Sequence, residues 1–388
     1  MKLLRLTINE EFRSLHKGFT INFHQMTKKG MSLMEEFQPF CFAGLNGSGK
    51  SNVLEALASI FYHLEFCVAK YHPDNFNFRR EVSKPDAFEL EYLIGEKEHT
   101  EYKISNLNKV LITKEIGGIP QMTVEKVNSE DKGTTFPLNP AETDNQIVGQ
   151  SYLPDIVIGY SSGENEILSL PFLKSRLVNF DEYVETFYSK AVFNEPQSSL
   201  IYVDEEMSQA VLLAALIFED DDTLEPLRDE LGIIGLRSFR IHLNNHGLTF
   251  PKDGNTGDYR IPILGHIDDE IKKLKQCSTS WFEFKDENVS DFYDFKTIII
   301  DFFIDEEGNT QKIFKEYFKS SFELFRFFQT LYELNFNVVN EGIKKDVYQS
   351  TGVYTKNKIS IPAPNDQVFR FQNLKNRRRT TSKRIAIA

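Results

Sequence analysis

At 388 residues the chain is long enough for one large hydrophobic core or two ordinary ones. Its 40% apolar and 26% charged residues suit a water-soluble globular protein, and 34 phenylalanines predict a Phe-packed core. A formal net charge of −12 excludes a protein that coats nucleic acid over its whole surface and leaves only a local basic groove for such contact.

The three cysteines, Cys41, Cys67 and Cys277, are scattered without CxxC spacing or a histidine cluster, which predicts a reduced, cytoplasmic protein without a zinc site. Charge interrupts the N-terminal stretch, and no later run reaches about 18 uninterrupted apolar residues, so neither a signal peptide nor a membrane span is expected.

Residues 2–8 alternate apolar and polar, and residues 19–23 repeat the alternation after Lys17-Gly18, which predicts a hairpin at a sheet edge. Residues 39–43, a short apolar run directly before Gly44, predict a buried strand. From Ser51 the period changes: Val53, Leu54, Leu57, Ile60, Phe61 and Leu64 recur at helical spacing. Residues 88–94, 101–104 and 110–116 alternate like strands of an antiparallel β subdomain, and residues 124–150 read as loops.

Order resumes over 153–160, followed by a strand over 200–203 and a helix over 208–218. The acidic run Glu219-Asp220-Asp221-Asp222 reads as a solvated helix end rather than a metal site. Between 253 and 342 the pattern offers strands such as 297–303 and one long Phe-dense helix over 313–334. Residues 367–371 are strand-like; from Lys375 onward the tail is basic and without period, as in a disordered end. Its cations Arg377, Arg378, Arg379, Lys383 and Arg384 suit either nucleic-acid phosphates or a solvated tail.

The sharpest chemical signal is Gly44-Leu45-Asn46-Gly47-Ser48-Gly49-Lys50-Ser51, a complete G-x-x-x-x-G-K-[ST] phosphate loop between the expected strand and helix. Glycines let the backbone turn its N–H groups onto the β and γ phosphates of ATP, and Lys50 adds a point charge. Ser51 places a hydroxyl on Mg²⁺, and the helix start contributes its positive dipole end. The expected cofactor-binding residues are Gly44, Asn46, Gly47, Ser48, Gly49, Lys50, Ser51 and Asn52.

Downstream, Leu200-Ile201-Tyr202-Val203-Asp204-Glu205 has the form of a Walker B strand, in which Asp204 would hold Mg²⁺ with Ser51 and Glu205 would polarise the attacking water. The same residues also read as an ordinary strand ending in an acidic helix cap. His242 and His246 follow a strand and read either as a switch histidine or as surface histidines.

Phe12-Arg13-Ser14 after the first strand, followed by the second strand and Gly-Leu-Asn-Gly-Ser-Gly-Lys-Ser-Asn, resembles the N-terminal half of SMC/RecF-like ABC ATPases. Residues 42–58 and 160–169 resemble the AAA-family ATPases encoded with bacterial restriction and anti-phage systems; the resemblance spans roughly residues 1–243. It implies an α/β P-loop NTPase of the ABC-ATPase head type, with an antiparallel β subdomain and an inserted, mainly helical domain. It also implies a homodimer around ATP that controls a nuclease or other DNA-acting partner.

The family further needs a signature loop, for which Ser161-Ser162-Gly163-Glu164 is the candidate, but the span from Gly163 to Asp204 is longer than the family's. Two arrangements stay open: a complete ATPase with Lys50, Asp204 and Glu205 as catalytic residues, or a C-terminally truncated head that binds nucleotide as a regulatory subunit with little or no hydrolysis. The expected organisation is an ATPase lobe over 1–250, an insertion over 251–365, and over 366–388 the start of a further lobe with the basic tail.

Overall fold

The structure, a computed structural model, describes residues 1–26, 34–96, 103–127, 133–139, 149–161, 166–189, 198–245, 247–250, 259–285, 296–350, 359 and 362–378. It is mixed α/β with antiparallel sheets. The chain forms two compact units that interleave along the sequence. The first comprises Met1–Glu182, Gln197–Tyr202 and Glu341–Lys358; the second comprises Tyr183–Pro196, Val203–Asn340 and Ile359–Ala388. These units do not part at the expected boundaries near 250 and 365, because compactness follows strand pairing between segments far apart in sequence.

In the first unit the N-terminal alternation becomes β1 (Lys2–Ile8), which pairs antiparallel with β2 (Phe19–Asn22). The helix after the glycine loop is α1 (Lys50–Val68). Then β3 (Phe88–Gly95), β4 (Leu107–Lys114), β5 (Gln121–Lys126) and β6 (Thr134–Pro137) complete a six-stranded antiparallel sheet ordered β2-β1-β3-β4-β5-β6. Val53, Ala56, Ile60 and Leu64 of α1 bury against Leu6, Phe88, Leu90 and Ile112 of that sheet. Leu54, expected on the apolar face, is exposed.

Two further expectations change here. The end of β5 and all of β6 fall in the stretch read as loops; buried Met122 and the Thr123–Thr135 hydroxyl pair, 2.9 Å apart, fasten them across strands. Of the strand expected over 101–104, Glu101 and Tyr102 lie outside the described residues, and Ile104–Asn106 is a 3₁₀ turn.

A small second sheet pairs β7 (Val157–Tyr160) with β8 (Leu200–Val203). Between them in sequence runs α2 (Glu166–Ser189), a helix with Pro171 inside it. Ala58 of α1 clusters with Phe172, Leu200 and Tyr202, so α1 makes apolar contact both with the six-stranded sheet and with the β7–β8 layer. A Cβ at Gly159 would lie 2.6 Å from Phe172 Cζ, so this approach of strand to helix requires glycine.

The second unit takes in the end of α2 from Tyr183, then α3 (Glu205–Phe218), α4 (Glu225–Leu231) and the long strand β9 (Ile233–Asn244). After the β10 (Gly247–Phe250) and β11 (Tyr259–Pro262) hairpin come α5 (Asp268–Cys277), β12 (Ser280–Lys285) and β13 (Lys296–Phe303). The described residues continue through α6 (Asn309–Tyr317), α7 (Ser321–Glu333) and β14 (Phe369–Arg378). The strands form an antiparallel sheet ordered β12-β13-β9-β14.

The segment expected as a mainly helical insertion is therefore mixed, with β12 and β13 added to β9. The single helix expected over 313–334 is two, because Ser320 starts a new one: its Oγ accepts from Glu323 N at 3.1 Å. The phenylalanine excess is explained by a chain of rings from Phe239 through Phe302, Phe314, Phe318, Phe327 and Phe328 to Phe369 and Phe371, with successive centroids 4.2 to 6.2 Å apart.

The tail expected to lose order at Lys375 instead continues as strand to Arg378. Register shifts absorb its lack of alternation: Lys375 faces Ser238 and Arg378 faces Ile233. Arg379, Lys383 and Arg384 lie outside the described residues. Returning to the first unit, α8 (Glu341–Gln349) places Lys344 against Asp181 and the Tyr348 ring against Phe76. Among the described residues no helix is long and apolar enough to cross a membrane.

Candidate functional site

Residues 39–43 do not form the expected strand before the glycine loop. The run joins no strand ladder: Phe40 and Phe42 pack edge-on against Phe23, at 5.1 and 6.2 Å, and against each other at 5.2 Å. The apolar run that predicted a buried strand is instead largely exposed, Phe40 at 41%, and its phenylalanines meet other rings in place of a ladder.

The loop then turns through two glycines in the left-handed region, Gly47 at φ 82° and Gly49 at φ 85°, and α1 starts at Lys50. Residues with a side chain pay about 1–2 kcal/mol to adopt that conformation. The loop from Gly44 to Ser48 is solvent-exposed. The first turn of α1 carries no acidic residue, so nothing there neutralises its unsatisfied N–H groups. Lys50 Nζ donates to the carbonyls of Gly44 and Leu45, at 2.9 and 2.8 Å, and to Ser48 Oγ at 3.4 Å, so the amine lies over the loop that precedes it. Ser51 is exposed at the same helix end.

A second element holds this junction from beneath. Phe12 and Leu15 exchange backbone hydrogen bonds of 3.0 and 2.8 Å around a tight turn in which Arg13 has φ 54°. Both hydrophobic side chains are buried; Ser14 and Arg13 reach α1 instead. Asn52 Nδ2 donates to Ser14 Oγ at 2.7 Å, and Arg13 donates through Nε and Nη2 to Glu55 Oε1 at 2.9 and 2.8 Å. A Cβ on Gly49 would sit 3.2 Å from both Leu15 Cδ2 and Ser14 Oγ, so the turn presses against the glycine itself.

These positioning roles were not legible in the sequence. Only the structure shows Glu55 to be 6% exposed, and a carboxylate buried to that degree demands a cation, which Arg13 supplies.

Asp204 and Glu205 stand at the start of α3, in the second unit, whereas the glycine loop belongs to the first. Asp204 is the N-cap of α3: its Oδ1 accepts from Met207 N at 3.0 Å, and its Oδ2 accepts from Tyr332 Oη at 3.3 Å. Glu205 is exposed in the first helical turn. Of the signature-loop candidate, Ser161 follows β7, while Ser162, Gly163 and Glu164 lie outside the described residues. His242 sits within β9, where burial, then the charges of Arg370 and Arg240, lower its pKa; His246 lies outside the described residues. Cys67 and Cys277 are buried thiols whose pKa burial pushes up to about 12, so both are inert.

No family model matches the sequence, and neither a curated protein nor a solved structure is similar to it. The chemistry therefore rests on the geometry above.

Proposed function

We propose that this chain binds ATP with Mg²⁺ at residues 44–52 and acts as an ABC/SMC-like P-loop ATPase, cytoplasmic and homodimeric, that controls a nuclease or other DNA-acting partner in a bacterial restriction or anti-phage system. The observation that carries the nucleotide reading is the junction itself: two left-handed glycines lead into a helix free of acid in its first turn, with the Lys50 amine lying over the loop. That donor set fits a polyphosphate, because the Lys50 amine, the hydroxyls of Ser48 and Ser51 and the uncapped N–H groups of α1 gather at one end of the helix with no carboxylate in its first turn.

In this reading the loop N–H groups and Lys50 bind the β and γ phosphates, Ser51 contributes a hydroxyl to Mg²⁺, and Gly44, Asn46, Gly47, Ser48, Gly49 and Asn52 shape the cradle. Mg²⁺ supplies charge neutralisation for transfer of the terminal phosphoryl group to water. Asp204 would add a metal ligand and Glu205 would orient the water. The defence role and the partner rest on the sequence resemblance alone.

A second reading, a regulatory subunit that binds nucleotide with little or no turnover, is favoured by one observation: the Asp204 carboxylate is engaged by the α3 cap and by Tyr332. Equilibrium ATP binding and hydrolysis, measured side by side on wild type, Lys50→Ala and Glu205→Gln, separate the two. Binding lost in Lys50→Ala and turnover lost in Glu205→Gln identify a complete ATPase; wild-type binding without turnover identifies the regulatory subunit. Undiminished binding by Lys50→Ala overturns both.

A further inference from the structure

In the four-stranded sheet of the second unit, β13 and β9 bury one face and leave the opposite face more exposed, although Asn244 is buried there; the edge strand β12 is exposed on both faces, with Trp281 48% exposed. Ile298, Ile300 and Phe302 of β13 and Phe239, Ile241 and Leu243 of β9 are buried on the packed face. The pairing registers place the alternate residues on the other face. Phe282, Ile299, His242 and Arg370 stand abreast across all four strands; Ser280, Asp301, Arg240 and Gln372 form the next row; Phe303, Ser238 and Lys375 form the one after.

This open face is divided by chemistry. At the β12 and β13 side, Phe282, Phe284 and Phe303 are 52%, 56% and 56% exposed. They are the exposed large hydrophobic residues that the registers place on this face. Phe282 and Phe284 are two residues apart on one strand, so their rings are spaced by about 7 Å.

At the β14 side stand Arg370 and Lys375, neither of which forms an ion pair among the described residues. The other cation, Arg240, is neutralised by Asp301 through bonds of 2.6 and 2.9 Å. Asp301 is the one acidic side chain that these registers place on the face, which is thus locally cationic on a protein of net charge −12.

We propose that this open sheet face binds single-stranded nucleic acid, with Phe282, Phe284 and Phe303 stacking bases and Arg370 and Lys375 meeting phosphates. The complementarity selects the occupant: the face needs a partner that is anionic along its length and carries flat apolar groups at close intervals. A second copy of the face would bring its own uncompensated cations, and a duplex hides its base faces in the stack, whereas an unpaired strand offers both charges and rings. The inference is independent of the nucleotide site.

The test is fluorescence anisotropy of a labelled oligothymidylate of about 16 nucleotides, titrated with full-length protein without nucleotide over a range of salt. Wild type is expected to bind, and a duplex of the same length to bind more weakly. Phe282→Ala and Phe284→Ala each weaken binding by about fivefold to 150-fold, while Phe282→Trp retains it. Arg370→Ala and Lys375→Ala each reduce the slope of log affinity against log salt by about 0.7.

Phe282, Phe284 and Lys375 are exposed and Arg370 is half-buried, its Nη2 donating to Asn365 Oδ1 at 3.3 Å, and circular dichroism of the variants verifies that they fold. Absence of wild-type binding at low salt overturns the proposal. So does binding that the phenylalanine substitutions leave unchanged, or a Phe282→Ala/Phe284→Ala protein that loses a dimer in sedimentation while binding the strand as well as wild type.

Discussion

Arg13 donates through both Nε and Nη2 to a single oxygen of Glu55, and this pair ties the turn after β1 to the second turn of α1, just beyond the glycine loop. The Glu55 side chain is almost wholly buried and Arg13 about one-third exposed, so removing the cation strands the carboxylate. Arg13→Ala is expected to lower stability by about 2 kcal/mol in urea unfolding and to weaken ATP binding through a misplaced loop. Arg13→Lys, which keeps charge but loses the fork, falls between. Equal stability of Arg13→Ala and wild type would show that the pair only decorates the junction.

The two left-handed glycines of the loop are not equivalent. A methyl group added at Gly47 would point into open space, whereas one at Gly49 would meet Leu15 and Ser14 at 3.2 Å. Gly47→Ala therefore carries the backbone cost of about 1–2 kcal/mol alone, and Gly49→Ala adds a steric cost to it. Thermal unfolding of the two variants should rank Gly49→Ala as the less stable; the reverse order contradicts the clamp described for the Phe12–Leu15 bridge.

Asp204 offers a clean separation of capping from catalysis. Asn is as good an N-cap as Asp, while Ala is not, so Asp204→Ala costs about 1 kcal/mol of stability and Asp204→Asn costs little. If the carboxylate also holds Mg²⁺ during turnover, Asp204→Asn abolishes hydrolysis with stability intact. Full activity in Asp204→Asn leaves the residue with its capping role.

His63, within α1, faces the Arg80 carbonyl at 3.1 Å and is 3% exposed. Burial, with the nearby Lys114 charge adding to it, lowers its pKa from 6.5 to about 3. The unfolded chain takes up this proton near pH 6.5 and the folded chain only near pH 3, so stability present at neutral pH is lost as the pH falls across that window. The loss between pH 6.5 and about 5 amounts to roughly 2 kcal/mol. Urea midpoints for wild type and His63→Gln at neutral pH and at about pH 5 check this: the variant should lose less, and identical losses would place the acid sensitivity elsewhere.

Local pattern carried much of the first unit. Alternation over residues 2–8 and 19–23 announces β1 and β2, and helical spacing from Val53 to Leu64 announces α1, because each needs only its own residues to choose a buried face. The glycines of the loop are legible for the same reason, since Gly47 and Gly49 answer a demand of their own backbone. Helix α2 is poorly legible, for Pro171 and its mixed charges blur any period, and the consecutive residues Ser175 to Phe180 are all buried, so no single face is marked.

What the sequence determined by itself was therefore the glycine loop leading into a helix, the neighbouring hairpin, and a composition that must bury many phenylalanines. Tertiary structure alone decided which segments share a sheet. Residues 39–43 look like a strand yet find ring contacts in place of a ladder, whereas residues 375–378 look patternless yet pair with β9, since backbone hydrogen bonds are available to any sequence whose partner lies alongside. The same pairing set Phe282 abreast of Arg370 and brought Asp301 onto Arg240, a juxtaposition of residues far apart in the chain that no local period encodes.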